Sequence, residues 1–152
     1  MGKLAYIQEL VKIRSELLSL LQTIGDRGIE LTLLGNGWSV KDLLGHLNWY
    51  DNECLLLMQT KNLEGSRLWD LSPKERNSKI KLLYSSITWF ELMSEFKKNT
   101  PRLISELENL TEEEWENSKM FKNMPFELKP SEIIDSNLNR HYSDHLTQLK
   151  AL

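Results

Sequence analysis

The 152-residue chain is short of cysteine, proline and glycine, with one, four and seven of them. A lone cysteine rules out an internal disulfide and fits a reducing, cytoplasmic setting, where Cys54 is expected to act as a small buried apolar residue. So few turn-forming residues disfavour an all-β chain, and 40% apolar with 27% charged residues is the composition of an ordered soluble domain rich in helix. No apolar run approaches the roughly 20 residues that span a bilayer. The opening stretch MGKLAYIQELVKIRSELL interleaves charges with apolar residues, unlike a secretion signal, so no membrane association is expected. Basic charge is also lacking. Lys and Arg number 19 against 22 Asp and Glu, a net charge of −3, which leaves no cationic surface for phosphates and makes nucleic acid an unexpected partner.

What the chain does have is helical periodicity over a length suited to one domain, residues 1–152, able to bury roughly 68–70% of its unfolded surface. Ile7, Leu10, Val11, Leu17, Leu18 and Leu21 predict an amphipathic helix over 4–24 that Gly25 and Gly28 end. After a loop through Gly35, Asn36, Gly37 and Trp38, Ser39 and Asp42 open a second helix that reaches about residue 60. Ser72-Pro73-Lys74-Glu75 combines a capping box with proline at the first helical position and predicts a helix over 73–84. Thr88 with Glu91 opens a helix that carries Phe96, Leu103 and Leu107 and is kinked at Pro101. Thr111 with Glu114 opens a short turn whose Glu112, Glu113 and Glu114 read as a solvated face. Residues 117–129 lack a period and predict a loop, and Pro130 and Ser131 begin one last helix running to 152. The resulting fold class is all-α, a four-helix bundle with short extra helices in its connections.

Only three histidines occur, and all fall on or beside inward faces. His141 and His145 are four residues apart, a spacing that puts two imidazoles on one helix face about 6 Å apart, where both can grip one divalent cation. His46, on the second helix, can supply a third nitrogen and leave a coordination position open, as catalytic metal sites do. Asn137 and Gln148 share the stripe of the last helix with the two histidines, and Tyr142 and Asp144 lie toward its edges. Asp51 sits among Leu44, Leu47 and Cys54 on the second helix, beside Tyr50, and an acid so placed needs a partner. Each histidine also has a plainer reading, a core ring bonded to a nearby backbone group. The five tryptophans, at 38, 49, 69, 89 and 115, either line a pocket or pack the core and bundle ends.

Two stretches resemble a known family. Gly37-Trp38-Ser39-Val40-Lys41-Asp42-Leu43-Leu44-Gly45-His46-Leu47 is similar to the signature that opens the second helix of the DinB/YfiT-like metal-dependent proteins, and His141-Tyr142-Ser143-Asp144-His145 with Gln148 resembles their C-terminal element. The resemblance covers nearly the whole chain in helix order. Asp51 after Tyr50, the element Leu110-Thr111-Glu112-Glu113-Glu114-Trp115 and the segment Asn139-Arg140-His141 are similar to the ClbS/DfsB branch. The resemblance implies an up-down bundle of the DinB-like kind with a metal on His46, His141 and His145. It also implies a small-molecule substrate, and it allows a homodimer. Thiol transferases, maleylpyruvate isomerase-like enzymes and self-resistance proteins that open an electrophilic ring all belong to this group.

Three neutral imidazoles suit Zn or Ni, with Fe also compatible. The expected activity is that of a metal-dependent hydrolase or thiol transferase acting on an electrophilic small molecule. Asp51 or Asp144 would serve as general base or orienting group, Tyr50 would act at the reacting centre, and Asn137 and Gln148 would line the substrate pocket. Two alternatives stand beside it: a protein that binds or sequesters a small molecule without metal catalysis, and a structural bundle whose buried polar layer sets helix register.

Overall fold

A computed structural model describes residues 2–33 and 37–152. Seven helices occupy most of them: α1 (Lys3–Ile24), α2 (Val40–Thr60), α3 (Pro73–Tyr84), α4 (Trp89–Asn109), α5 (Glu112–Glu116), α6 (Pro130–Asn137) and α7 (Asn139–Lys150). Gly35 and Asn36 of the expected loop lie outside the described residues. Helix starts follow local chemistry. Ser39 Oγ accepts from the Asp42 N–H at 3.0 Å while the Asp42 carboxylate accepts from the Ser39 N–H at 3.0 Å, and Thr88 with Glu91 and Thr111 with Glu114 form the same reciprocal caps. At α3 only the hydroxyl half forms, with Ser72 Oγ accepting from the Glu75 N–H. α1 ends at Gly25, whose φ of +61° is readily reached only without a Cβ. No strand is formed among the described residues, only isolated bridges joining Thr32 to Ser39 and Asn62 to Lys122.

Three expectations need correction. The final helix is not continuous: Leu138, at φ −113° and ψ −102°, divides α6 from α7. The cause lies at the other end of the chain, where the Tyr6 hydroxyl accepts from the Asn139 N–H and the Tyr6 carbonyl accepts from Asn139 Nδ2, both at 3.2 Å. The acidic run is not wholly solvated, because Glu114 is buried and ion-paired with Lys61. The stretch expected as loop contains a 3-10 turn, Ser118–Met120.

α4 packs against both α1 and α2, α1 packs against α7, and α6 packs against α2, so that α1, α2, α4 and the α6–α7 pair enclose one core. Leu10, Leu17, Leu21, Leu44, Leu47, Phe96, Leu103, Ile134 and Leu138 are sealed inside it. Burying each such side chain stabilises the fold by about 1.5–3 kcal/mol relative to exposure. Cys54 is buried there too, as expected, and burial pushes its thiol pKa upward, away from reactivity. α3 lies outside this core against α2. Gly45 permits that approach: a Cβ there would stand 2.8 Å from the Cβ of Tyr84. The described residues include no helix long and apolar enough to cross a membrane.

Candidate metal centre

The three histidines meet. His46 projects from α2, and His141 and His145 from α7. His141 Nε2 lies 2.9 Å from His46 Nε2 and 2.9 Å from His145 Nε2. Their rings stand edge to face, with centroids 4.5–5.1 Å apart. The i, i+4 spacing on α7 brings its two rings together as expected. The bond from the Tyr142 N–H to the Leu138 carbonyl, at 2.8 Å, closes the first turn after the break and carries both rings toward α2.

Desolvation is the main influence on all three rings. It pushes His46 down to about 2, with the neighbouring rings and Arg76 adding to the effect, and His141 down to about 3. It also lowers His145, against the opposing pull of Gln148 and Asp144. All three are therefore neutral at pH 7, the state in which imidazole binds metal. His145 Nδ1 donates to Gln148 Oε1 at 2.6 Å, which leaves the lone pair of His145 Nε2 facing its neighbours. Neither His46 Nδ1 nor His141 Nδ1 makes a well-aligned hydrogen bond among the described residues, although the Asn137 carbonyl favours the protonated His141 ring.

These atoms fit a cation. A neutral ring holds one proton, so His141 Nε2 cannot donate well to both neighbours at once, and the convergence leaves lone pairs facing one another. A divalent ion at the centre satisfies all three nitrogens, and three imidazoles are a ligand set found at open metal sites. Among the described residues, His46, His141 and His145 are the one group of three or more His, Cys, Asp or Glu side chains close enough to share a metal.

A cavity of about 690 Å³ opens onto the three rings, lined also by Tyr50, Trp38, Lys74, Asn77, Ser78 and Ser136. Tyr50 packs at a steep tilt against both His46 and His141, with centroids 4.7 Å apart, and its hydroxyl donates to Asn77 Oδ1 and accepts from Arg76 Nε, both at 3.2 Å. The other candidate residues go elsewhere. Asn137 lines a separate cavity with Cys54, Leu57, Trp69 and Ile133, while its neighbour Ser136 faces the histidines, since the break at Leu138 turns α6 relative to α7. Gln148 holds His145. Asp144 is exposed and borders a third hollow with Tyr6 and Glu9. Of the tryptophans, Trp38 lines the histidine cavity, Trp49 and Trp69 pack against Tyr50, and Trp115 is core.

Asp51 is completely buried behind the histidines, bonded to Arg14 Nη1 at 2.8 Å and to the Tyr142 hydroxyl. Arg14 also donates to Tyr142 Oη at 2.8 Å, to the Phe96 carbonyl at 2.7 Å and to Thr100 Oγ1 at 2.8 Å. Burial pushes the Asp51 carboxyl upward and Arg14 pulls it back. Burial likewise disfavours the Arg14 charge, but Asp51 and Tyr142 outweigh it and keep the guanidinium protonated. Sequence reasoning missed Arg14, although a signal exists: it falls on the stripe of Leu10, Leu17 and Leu21, a position where an unpaired charge could not be buried. Tyr142, expected at a stripe edge, is fully buried on the core face of α7.

No curated protein sequence matches the chain. Among solved structures it is similar to a mutant of a mycothiol-dependent maleylpyruvate isomerase, at 18% identity and a TM-score of 0.73 over 98% of this chain. The chain spans 61% of that structure's length, and at this identity the likeness speaks for the fold. The model of the DinB superfamily matches residues 9–149. With its all-helical fold and converging histidines, this chain belongs to the DinB superfamily.

Proposed function

We propose that the protein is a metal-dependent enzyme that directs water or a thiol onto an electrophilic small molecule, as a hydrolase or thiol transferase. The observation that carries this reading is the approach of three neutral Nε2 atoms, 2.9 Å apart in two of their pairings, at the wall of a cavity. His46, His141 and His145 would hold the ion, with Zn or Ni best suited and Fe compatible. A divalent cation on neutral ligands keeps its full charge, so it supplies Lewis acidity toward the substrate and lowers the pKa of a nucleophile.

The chain's own residues do the rest. Gln148 keeps His145 in the tautomer that turns Nε2 to the cavity, and Trp38 and Tyr50 give the pocket apolar walls that exclude water. Among the described residues no carboxylate lines this cavity. Tyr50 is then the proton-handling group beside the histidines: its oxygen accepts from Arg76, and its one proton, given to Asn77 Oδ1 in the free protein, would turn to the substrate. Asp51 acts from behind, fixing α7 through Tyr142 against α1 and α2. The resemblance to a mycothiol-dependent isomerase supports the thiol arm of the reading. The absence of a lining carboxylate favours, as a second reading, a sequestering protein of the ClbS/DfsB kind.

Elemental analysis of protein purified without a polyhistidine tag tests the first reading. One equivalent of divalent metal is expected, lost in His145→Ala while the helical circular dichroism persists; unchanged metal content in that variant overturns the ligand set. Turnover of a model epoxide with and without added thiol then separates hydrolysis from transfer, and binding without turnover selects the second reading.

A further inference from the structure

The histidine cavity is at odds with the charge of the chain around it. Acids outnumber bases 22 to 19, yet among the described residues no acid lines the cavity, and Lys74 does. Lys74, Asn77 and Ser78 stand at i, i+3 and i+4 on α3 and line the cavity. The Ser78 hydroxyl donates to the Lys74 carbonyl at 3.0 Å and Asn77 Oδ1 accepts from Tyr50, which leaves the Lys74 ammonium and the Asn77 amide N–H groups as the donors of this face. Lys74 has no carboxylate within ion-pair distance among the described residues, whose ion pairs involve Arg14, Lys61, Lys81, Lys129 and Lys150. Arg76 lacks a carboxylate too. It donates to Tyr50 Oη and, at 3.4 Å, to the Leu71 carbonyl, and it stacks 4.8 Å over Trp69. Its positive field reaches His46, whose protonation it opposes. Of the acids around it, Asp51 is matched by Arg14, Glu53 accepts from the Ser66 N–H and Trp69 Nε1, and Asp144, whose field reaches His145, borders another hollow.

We propose that the substrate carries a carboxylate, held by Lys74 with the amide N–H groups of Asn77 while its electrophilic carbon faces the histidines. The proposal rests on the metal-dependent reading for the identity of the reacting end, but the anion site is a separate feature of α3. One free ammonium with neutral donors balances a single negative charge. A dianionic phosphate would leave one charge unmatched beside a single ammonium, because the guanidinium of Arg76 is already engaged by Tyr50, Leu71 and Trp69.

The test pairs two probes with two proteins. Mercaptopropionate and its uncharged amide, mercaptopropionamide, are titrated into wild type and Lys74→Met, and binding is followed by calorimetry and by the NMR signal of the Trp38 indole. Intrinsic differences between the probes cancel in this cycle. Lys74→Met should weaken mercaptopropionate about fivefold or more, as expected for loss of a charge-assisted hydrogen bond, and leave the amide within about twofold. Equal effects on both probes, or none on either, overturn the carboxylate site. Lys74 is exposed, so the variant should fold, and its metal content should equal that of wild type. If wild type holds no metal, the metal-dependent reading fails by itself, and the same comparison on metal-free protein still decides whether α3 binds a carboxylate.

Discussion

Arg14, Asp51 and Tyr142 lie on α1, α2 and α7; His46, His141 and His145 lie on α2 and α7, so two polar trios have α2 and α7 in common within one bundle. The first trio is closed. Arg14 distributes its donors over Asp51, Tyr142, Thr100 and the Phe96 carbonyl, and opposite charges cancel in the core. The second trio is open. Its Nε2 atoms face one another, with no carboxylate among the described residues lining the cavity that adjoins them. Burial of polar groups is common to both, so burial alone does not mark a functional site. What marks it is incomplete satisfaction next to accessible space, a need that a ligand rather than the protein fulfils.

The comparison breaks first at its closed member. Asp51→Ala would strand the Arg14 charge in the core, and removing one partner of a buried pair costs about 3–5 kcal/mol. A large fall in the urea midpoint is expected, and a change below about 1 kcal/mol would mean that the trio is not a structural lock.

A smaller effect should come from the open member in metal-free protein. His46 and His141 have folded pKa values near 2 and 3 against an unfolded value of 6.5, so the unfolded chain binds protons first as pH falls. Their stabilising contribution is complete above about pH 6.5 and is lost progressively as pH drops toward the folded values. Between pH 7 and 5.5 the two rings should cost roughly 2–3 kcal/mol of stability. Chemical denaturation of chelator-treated protein across that range checks it, and a flat profile would show that the rings are not held neutral.

The mildest intervention sharpens the contrast. Gln148→Ala leaves the ligand set intact but frees the His145 tautomer, so metal affinity should drop about 10–100-fold, with thermal stability of the metal-free form little changed. Competition with a chromophoric chelator reads the affinity directly. An unaltered value would make Gln148 a bystander.

Much of this architecture could be read before any coordinates. Caps such as Ser39 with Asp42 and Thr88 with Glu91 are legible because both partners lie within one turn, and the His141–His145 pair is legible because helical spacing is local. Asp51 was recognisable as an acid in need of a partner. The identity of that partner was not, since Arg14 stands 37 residues earlier and meets it only across the bundle. The exchange of Asn137 for Ser136 at the cavity has a similar origin: periodicity carried through residue 138 assumes an unbroken helix, whereas Tyr6, 133 residues away, draws Asn139 aside.

The amino-acid order by itself therefore determined the helices, their caps, the apolar stripes and the candidacy of three histidines, because each depends on neighbours within a few residues. Only the tertiary structure decided which polar residues neutralise one another, which face of α3 borders the cavity and which nitrogens share a point in space. Those outcomes depend on contacts between helices far apart in the chain, where packing and the cost of an unpaired buried group select one arrangement among many that local pattern allows.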